Sequence, residues 1–397
     1  MNKLNNKGFA VSTILYGILA LVILILMLIF GVMKANKDMN KDLSQSIEEQ
    51  INKCTLLEVQ LENCYFSGES CTEEKYEYDI CTDNITTLHD QILNDNNAYP
   101  DNVSSTYVES ETGIKFSEPS SNTNGKGLYY TSNKTENNNV TYYFRGDVEN
   151  NYISFAGILW RIVRINEDGS VRLITDQSVG QSAFNVNNGD NTYVGYMTGQ
   201  VGATSYEDAH SNSNNSTIKS FVDSWYEANL VQYTSMMSTE AGFCNDRAIS
   251  YGLGYGINST RYAASGRNSR AFIPVFNCSQ TNDLFTYNST KGNNKLSYPV
   301  GLLTVDEAIY GGNYISDKDN EFIVAGYLTA EHDWWTMTPH SFDSGIYYIK
   351  AGKNILFVYT QNSNFTLGVR PVINLKSTVQ VITGNGTKSN PYTILTI

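Results

Sequence analysis

Between Phe9 and Met33 the chain reads FAVSTILYGILALVILILMLIFGVM, without one charged residue. A hydrocarbon core of about 30 Å takes roughly 20 apolar residues to cross as a helix, and lipid offers no partner to an unpaired peptide group. A cleavable secretory signal is the competing reading, but its apolar region is usually about 7–15 residues long and closes on a small-x-small site. Here the run continues through Val32 and Met33 to Lys34. The expectation is a leader or cytoplasmic tail over residues 1–8, then a transmembrane helix over 9–33 that tethers the remainder to the cell membrane.

The helical pattern does not end with the apolar run. Met39, Leu43, Ile47, Ile51, Cys54, Leu57 and Leu61 recur at three- and four-residue steps among Lys, Asp, Glu and Gln, the spacing of an amphipathic helix. Residues 34–82 therefore read as a helical stalk. Four cysteines follow in it as C-x9-C-x6-C-x9-C, at Cys54, Cys64, Cys71 and Cys81. Nested pairs, Cys54–Cys81 with Cys64–Cys71, suit a stapled hairpin, and sequential pairing fits the spacing equally. Cys244 and Cys278 are either a further bridge or buried thiols. The absence of C-x2–4-C pairs argues against zinc. Disulfides persist in oxidising compartments, which places the C-terminal body outside the cytoplasm. The lysines alone lean the other way, since Lys3 and Lys7 precede the span while Lys34, Lys37 and Lys41 follow it.

From residue 83 to 126 the sequence is polar and rich in breakers, as in NDNNAYPDN and SEPSSNTNGKG, and reads as a linker with short helical pieces. Residues 127–397 turn to β texture. Leu159–Ile165 and Val171–Thr175, separated by the turn Glu167-Asp168-Gly169, predict a hairpin. Helices are predicted at about Ser216 to Tyr226, where Ile218, Phe221, Val222 and Trp225 share a face, and at Thr304 to Tyr310. Two strands, near Ser344 to Ala351 and Asn354 to Tyr359, flank Gly352. The net charge of −13 and the neutral-polar surface of Asn, Ser and Thr argue against a nucleic-acid partner, which requires clustered Lys and Arg.

Two resemblances follow from these residues. Lys7, Gly8 and Phe9 resemble the prepilin junction of type IV pilins and pseudopilins, where a peptidase cuts after the glycine and the new terminal phenylalanine is methylated. That likeness implies processing between Gly8 and Phe9 and, as partners, the subunits of a pilus or secretion apparatus. It departs at the fifth mature position, where Thr13 replaces the usual glutamate; this favours a minor subunit or a plain membrane anchor. The order ILWRIVRI, YPVGLLTVDEA, DWWTMTPHSF and LGVRPVINL is similar to bacterial surface domains with a C-type-lectin-like fold, including a domain family of unknown function in gut Firmicutes. The implied architecture is α+β: a long N-terminal transmembrane helix and helical stalk, then a lectin-like mixed domain with a small antiparallel sheet and long loops.

Chemistry is sparse. No HExxH, G-x-S-x-G, phosphate loop or dinucleotide fingerprint occurs, and neither a metal nor a cofactor is expected. Asp317 to Glu321 alternates acidic residues as calcium loops do, but lacks the glycine and distal glutamate of an EF-hand. Trp334, Trp335, His340 and Arg370 are candidate ligand contacts, although each Trp could serve the core and Arg370 could pack on an aromatic ring or a carboxylate. Tyr262 and Arg267 lie in the loop Tyr251 to Arg270, whose Tyr, Asn and Ser suit adaptable contacts. The reading that follows is a non-enzymatic, membrane-anchored surface protein whose extracellular head binds a protein or glycan. A minor pilin or pseudopilin is the alternative.

Overall fold

A computed structural model describes residues 53–77, with gaps at 55, 58, 68–70 and 76, and residues 86–396, apart from 103–112, 122–124, 253, 256–259, 269–271, 314–325, 343–344 and 351–357. The chain divides into two units, residues 1–85 and 86–397. In the first unit residues 59–67 are helical, and Cys64 is bonded to Cys71 with their Cα atoms 5.8 Å apart. That bond belongs to the nested arrangement and excludes the sequential one. The Cys81 end of its other half, Cys54–Cys81, falls outside the described residues, as do the apolar run 9–33, the junction at Gly8 and Phe9, and the acidic stretch 317–321.

The second unit is built on strands. In chain order these are β1 (Ala98–Pro100), β2 (Gly127–Thr131), β3 (Thr141–Arg145), β4 (Tyr152–Phe155), β5 (Ile158–Ile165), β6 (Val171–Thr175), β7 (Gly180–Ala183), β8 (Phe243–Cys244) and β9 (Leu284–Phe285). The C-terminal part adds β10 (Trp334–Pro339), β11 (Gly345–Ile349), β12 (Val358–Asn362), β13 (Thr366–Val369), β14 (Val372–Leu375), β15 (Val381–Thr383) and β16 (Tyr392–Ile394). The hairpin expected at the Asn166–Ser170 turn is β5–β6, paired from Trp160↔Thr175 to Ile165↔Val171. Gly169 holds a φ of +79°, which a side chain would oppose.

Strand β5 organises the larger sheet. One of its edges carries β4 along its first half and β3 along its second, while the other edge carries β6. From there β3 leads to β2 and β1, β4 to β16 and β15, and β6 to β14, so nine strands curl into a half-barrel. Because both faces are covered, β5 is buried from Trp160 onward instead of alternating in and out. A second sheet of five strands runs β12–β11–β10–β13–β7.

Three helices pack on these sheets. Helix α1 (Leu88–Asp95) is capped by the Thr87 hydroxyl and buries Leu88 and Ile92 completely. It is tied to the C-terminal strands by Leu88 N–H donating to Val379 O at 2.7 Å and by Tyr392 Oη donating to Asp95 Oδ2 at 2.7 Å. Helix α2 (Thr217–Asn229) is capped by Ser216 and sets Trp225 edge-on to Trp160 of β5, 6.0 Å between ring centroids. Helix α3 (Val305–Tyr310) is buried throughout and starts with a capping box between Thr304 and Glu307.

This architecture corrects the expected fold class. The described residues are β-rich with few, short helices, and the principal sheet is large and curled, where the α+β reading had a long helix and a small sheet of lectin type. No helix among the described residues is long and apolar enough to cross a membrane. The physical reason is that β6, β10 and β14, and β5 from Trp160 onward, are buried on both faces, so continuous apolar runs form the strands of packed sheets. Part of the stretch read as a linker also belongs to the unit: residues 86–102 supply α1 and β1, because Leu88 and Ile92, one helical turn apart, are buried. Replacing Ile92 with Ala should therefore lower the unfolding free energy by about 2–4 kcal/mol in urea titrations, whereas a true linker would leave the midpoint unmoved.

Candidate functional site

The sheet register explains how charge comes to line a cleft. Across the half-barrel one cross-strand row runs Tyr99, Tyr129, Tyr143, Arg164, Arg172 and Asn374, each opposite the next on β1, β2, β3, β5, β6 and β14. An irregularity of register between Ile162 and Arg164 sets Arg164 directly opposite Arg172. Two like charges facing each other across neighbouring strands repel, and both guanidinium groups are nearly inaccessible to water. The pair needs an anion.

Glu307 supplies it. Its Oε1 accepts from Arg172 Nη1 and lies 3.3 Å from Arg164 Nε, while Oε2 accepts from Thr304 N–H and Oγ1 at 3.0 and 3.1 Å. Burial by itself would raise the Glu307 carboxyl, but the two arginines and the Thr304 N–H outweigh it and hold the group below the usual carboxylate range. Arg172 also donates from Nε to Asn374 Oδ1 at 2.9 Å and from Nη2 to Gly242 O. Arg164 also reaches Glu167 Oε2 at 3.3 Å and rests over the Phe276 ring at 4.5 Å.

Around these arginines opens a cleft of about 270 Å³. Its walls come from the β2–β3 turn (Thr135, Glu136, Asn137), the β5–β6 turn (Asn166, Glu167, Asp168), the β8 segment, the loop 275–278, Lys291 and the start of α3. Arg267 forms a fork to Asp306, 2.9 Å from Nε to Oδ1 and 2.8 Å from Nη2 to Oδ2, and donates from Nη2 to Asp246 at 2.6 Å. Burial pulls the Arg267 guanidinium down, yet Asp306 and Asp246 more than offset this and its proton is held more tightly than usual. Asp246, at a φ of +53°, has its carboxyl raised, chiefly by burial. At the mouth, Lys291 pairs with Glu136.

The Cys244–Cys278 disulfide crosses this lining, with Cα atoms 5.6 Å apart, and ties β8 to the loop that carries Phe276. Behind β8 a second charged cluster anchors the wall. Arg247 donates from N–H and Nε to the two oxygens of Asp283 at 2.5 and 2.8 Å, and His210 Nε2 lies 3.5 Å from the same carboxylate. Burial opposes ionisation of Asp283, but Arg247 and His210 prevail and its carboxyl sits below its ordinary value.

Of the candidates named from sequence, the structure brings Arg267 to the cleft and leaves the others elsewhere. Trp334, Trp335, Arg370 and Tyr262 are buried. Arg370 lies 4.8 Å over the Trp334 ring and donates to Thr175 O and Leu328 O at 2.8 and 2.7 Å; burial draws its guanidinium down to about 9. Trp335 Nε1 donates to Ser182 O at 2.9 Å. His340 is half-buried, and its carbonyl accepts from Tyr262 N–H at 3.1 Å. Apart from Arg267 and the Cys244–Cys278 pair, the residues that line the cleft were not singled out in sequence. Two signals pointed to them: arginines inside the otherwise apolar strands ILWRIVRI and VRLIT, and the T-x-x-E box at Thr304–Glu307. Among the described residues no group of His, Cys, Asp and Glu is arranged to hold a metal ion.

Comparison with protein-family models, with curated proteins and with solved structures finds no match to this chain.

The two depressed carboxyls fix an acid response. A carboxylate whose folded value lies below its unfolded one contributes stability that is complete above the unfolded value, about 4.5 for Glu, and is lost as pH falls through the folded value. Unfolding free energy should thus decline below about pH 4.5, and Glu307→Gln should flatten that decline while Asp283 still titrates. An identical pH slope in the variant would show that Glu307 does not carry the effect.

Proposed function

We propose that the chain is a membrane-anchored, extracytoplasmic binding protein whose C-terminal unit takes a ligand in the charged cleft. The observation that carries this reading is the cleft itself, in which ten charged side chains from separate segments converge, most of them held by buried partners within the chain. Preorganised polar groups around a concavity are what recognition of a polar ligand requires.

The same pairing favours binding over catalysis. Glu136, Glu167, Asp246, Asp306 and Glu307 are each engaged by a lysine or arginine, and Asp168 accepts from Ser170 N–H at 3.0 Å and from its hydroxyl. A carboxylate held in this way is a poor general acid or base. The extracytoplasmic setting is supported by the disulfides Cys64–Cys71 and Cys244–Cys278 and the tether by the uncharged run Phe9 to Met33.

Protease applied to the outside of intact cells should therefore digest the C-terminal unit and leave a short membrane-retained N-terminal fragment. Full protection until the cells are lysed would contradict the placement.

A further inference from the structure

Building on the reading of the cleft as a binding site, we infer that its ligand is an organic cation, which presents a primary ammonium group to Glu136 and a second donor to Asn166. Charge gives the first argument. Six carboxylates line the cleft against four cations, so an incoming anion meets a surplus of like charge. The deep carboxylates are locked by buried guanidinium groups, but the pair at the mouth differs. Glu136 and Lys291 keep 39% and 28% of their side-chain surface, and they join the β2–β3 turn to a loop 155 residues away. An ion pair this exposed contributes little and exchanges readily. Lys291 thus places an ammonium where a ligand's ammonium would sit.

The second argument is an unmet acceptor. Asn166 is only 4% exposed and lines the same cleft. Its NH2 donates to Ser170 Oγ at 2.8 Å and to Asn374 Oδ1 at 3.0 Å. Asn374 Oδ1 also accepts from Arg172 Nε, which fixes it as an acceptor and fixes the orientation of the Asn166 amide. Asn166 Oδ1 is left with no donor. A buried acceptor without a partner is costly, and a second donor of the ligand, apart from the ammonium at Glu136, would satisfy it. Carbohydrate hydroxyls could also donate to Asn166, but they leave the surplus charge uncompensated.

The test is isothermal titration of the full chain, in detergent, with cadaverine as cationic probe, N-acetylglucosamine as neutral probe and glutarate as anionic probe. Cadaverine should bind. Glu136→Gln should weaken it about tenfold, the scale of one charge-assisted hydrogen bond, and Lys291→Met, which removes the internal competitor, should tighten it. Both residues lie at the half-exposed mouth, so neither change threatens the fold. Cadaverine binding that is indifferent to Glu136→Gln overturns the inference. Binding of the sugar or the dicarboxylate without cadaverine overturns it too, while the cleft stands as a binding site. Heat from none of the three overturns both.

Discussion

The half-barrel depends on one carboxylate placed between two arginines. Register alone sets Arg164 against Arg172 on adjacent buried strands, an arrangement that repels. Glu307 makes it tolerable with one oxygen, while its other oxygen closes the capping box that starts α3. At the far end of the same helix, Arg145 of β3 donates to the carbonyls of Ile309 and Tyr310 at 2.8 and 3.2 Å. A six-residue helix is too short to hold itself together in water, and here its start is closed by the capping box and its end by Arg145 of the sheet.

That arrangement also explains why the cleft is polar. Of the row of residues opposite one another across the strands, Arg164 and Arg172 line the cleft and form its floor. On this row the residues nearest the β1 edge are tyrosines and those toward β14 are Arg164, Arg172 and Asn374. Each charge on that floor draws a counter-charge from outside the strands: Glu167 from the β5–β6 turn and Glu307 from α3. Beside it Asp246 and Asp306 hold Arg267, and Lys291 holds Glu136. The network both maintains the walls and leaves its most exposed member free to exchange.

Local features were legible from sequence. The β5–β6 hairpin follows from β-branched runs around Asp168-Gly169, and α2 and α3 follow from Ser216 and Thr304 preceding helical spacing. Long-range features were not. The sheet joins β1 to β2 in parallel, β16 to β4, and β14 to β6, pairings that no spacing announces. The conspicuous tryptophans drew attention, but large apolar side chains usually mark the core, and Trp334 and Trp335 lie there. The cleft is assembled from segments between residues 135 and 307, so its members share no local pattern. What could be read was the anomaly of arginines in apolar strands, since a buried guanidinium always implies a partner elsewhere in the chain.

A double-mutant cycle on Glu307 and Arg172 tests the central claim most directly. Unfolding free energies of the parent, Glu307→Gln, Arg172→Met and the double variant give the coupling between the two side chains. The account predicts a coupling of about 2–3 kcal/mol, with the double variant less destabilised than the sum of the single ones. Additive effects would show that the two groups do not stabilise each other, and that the register of the half-barrel is held by something other than this carboxylate.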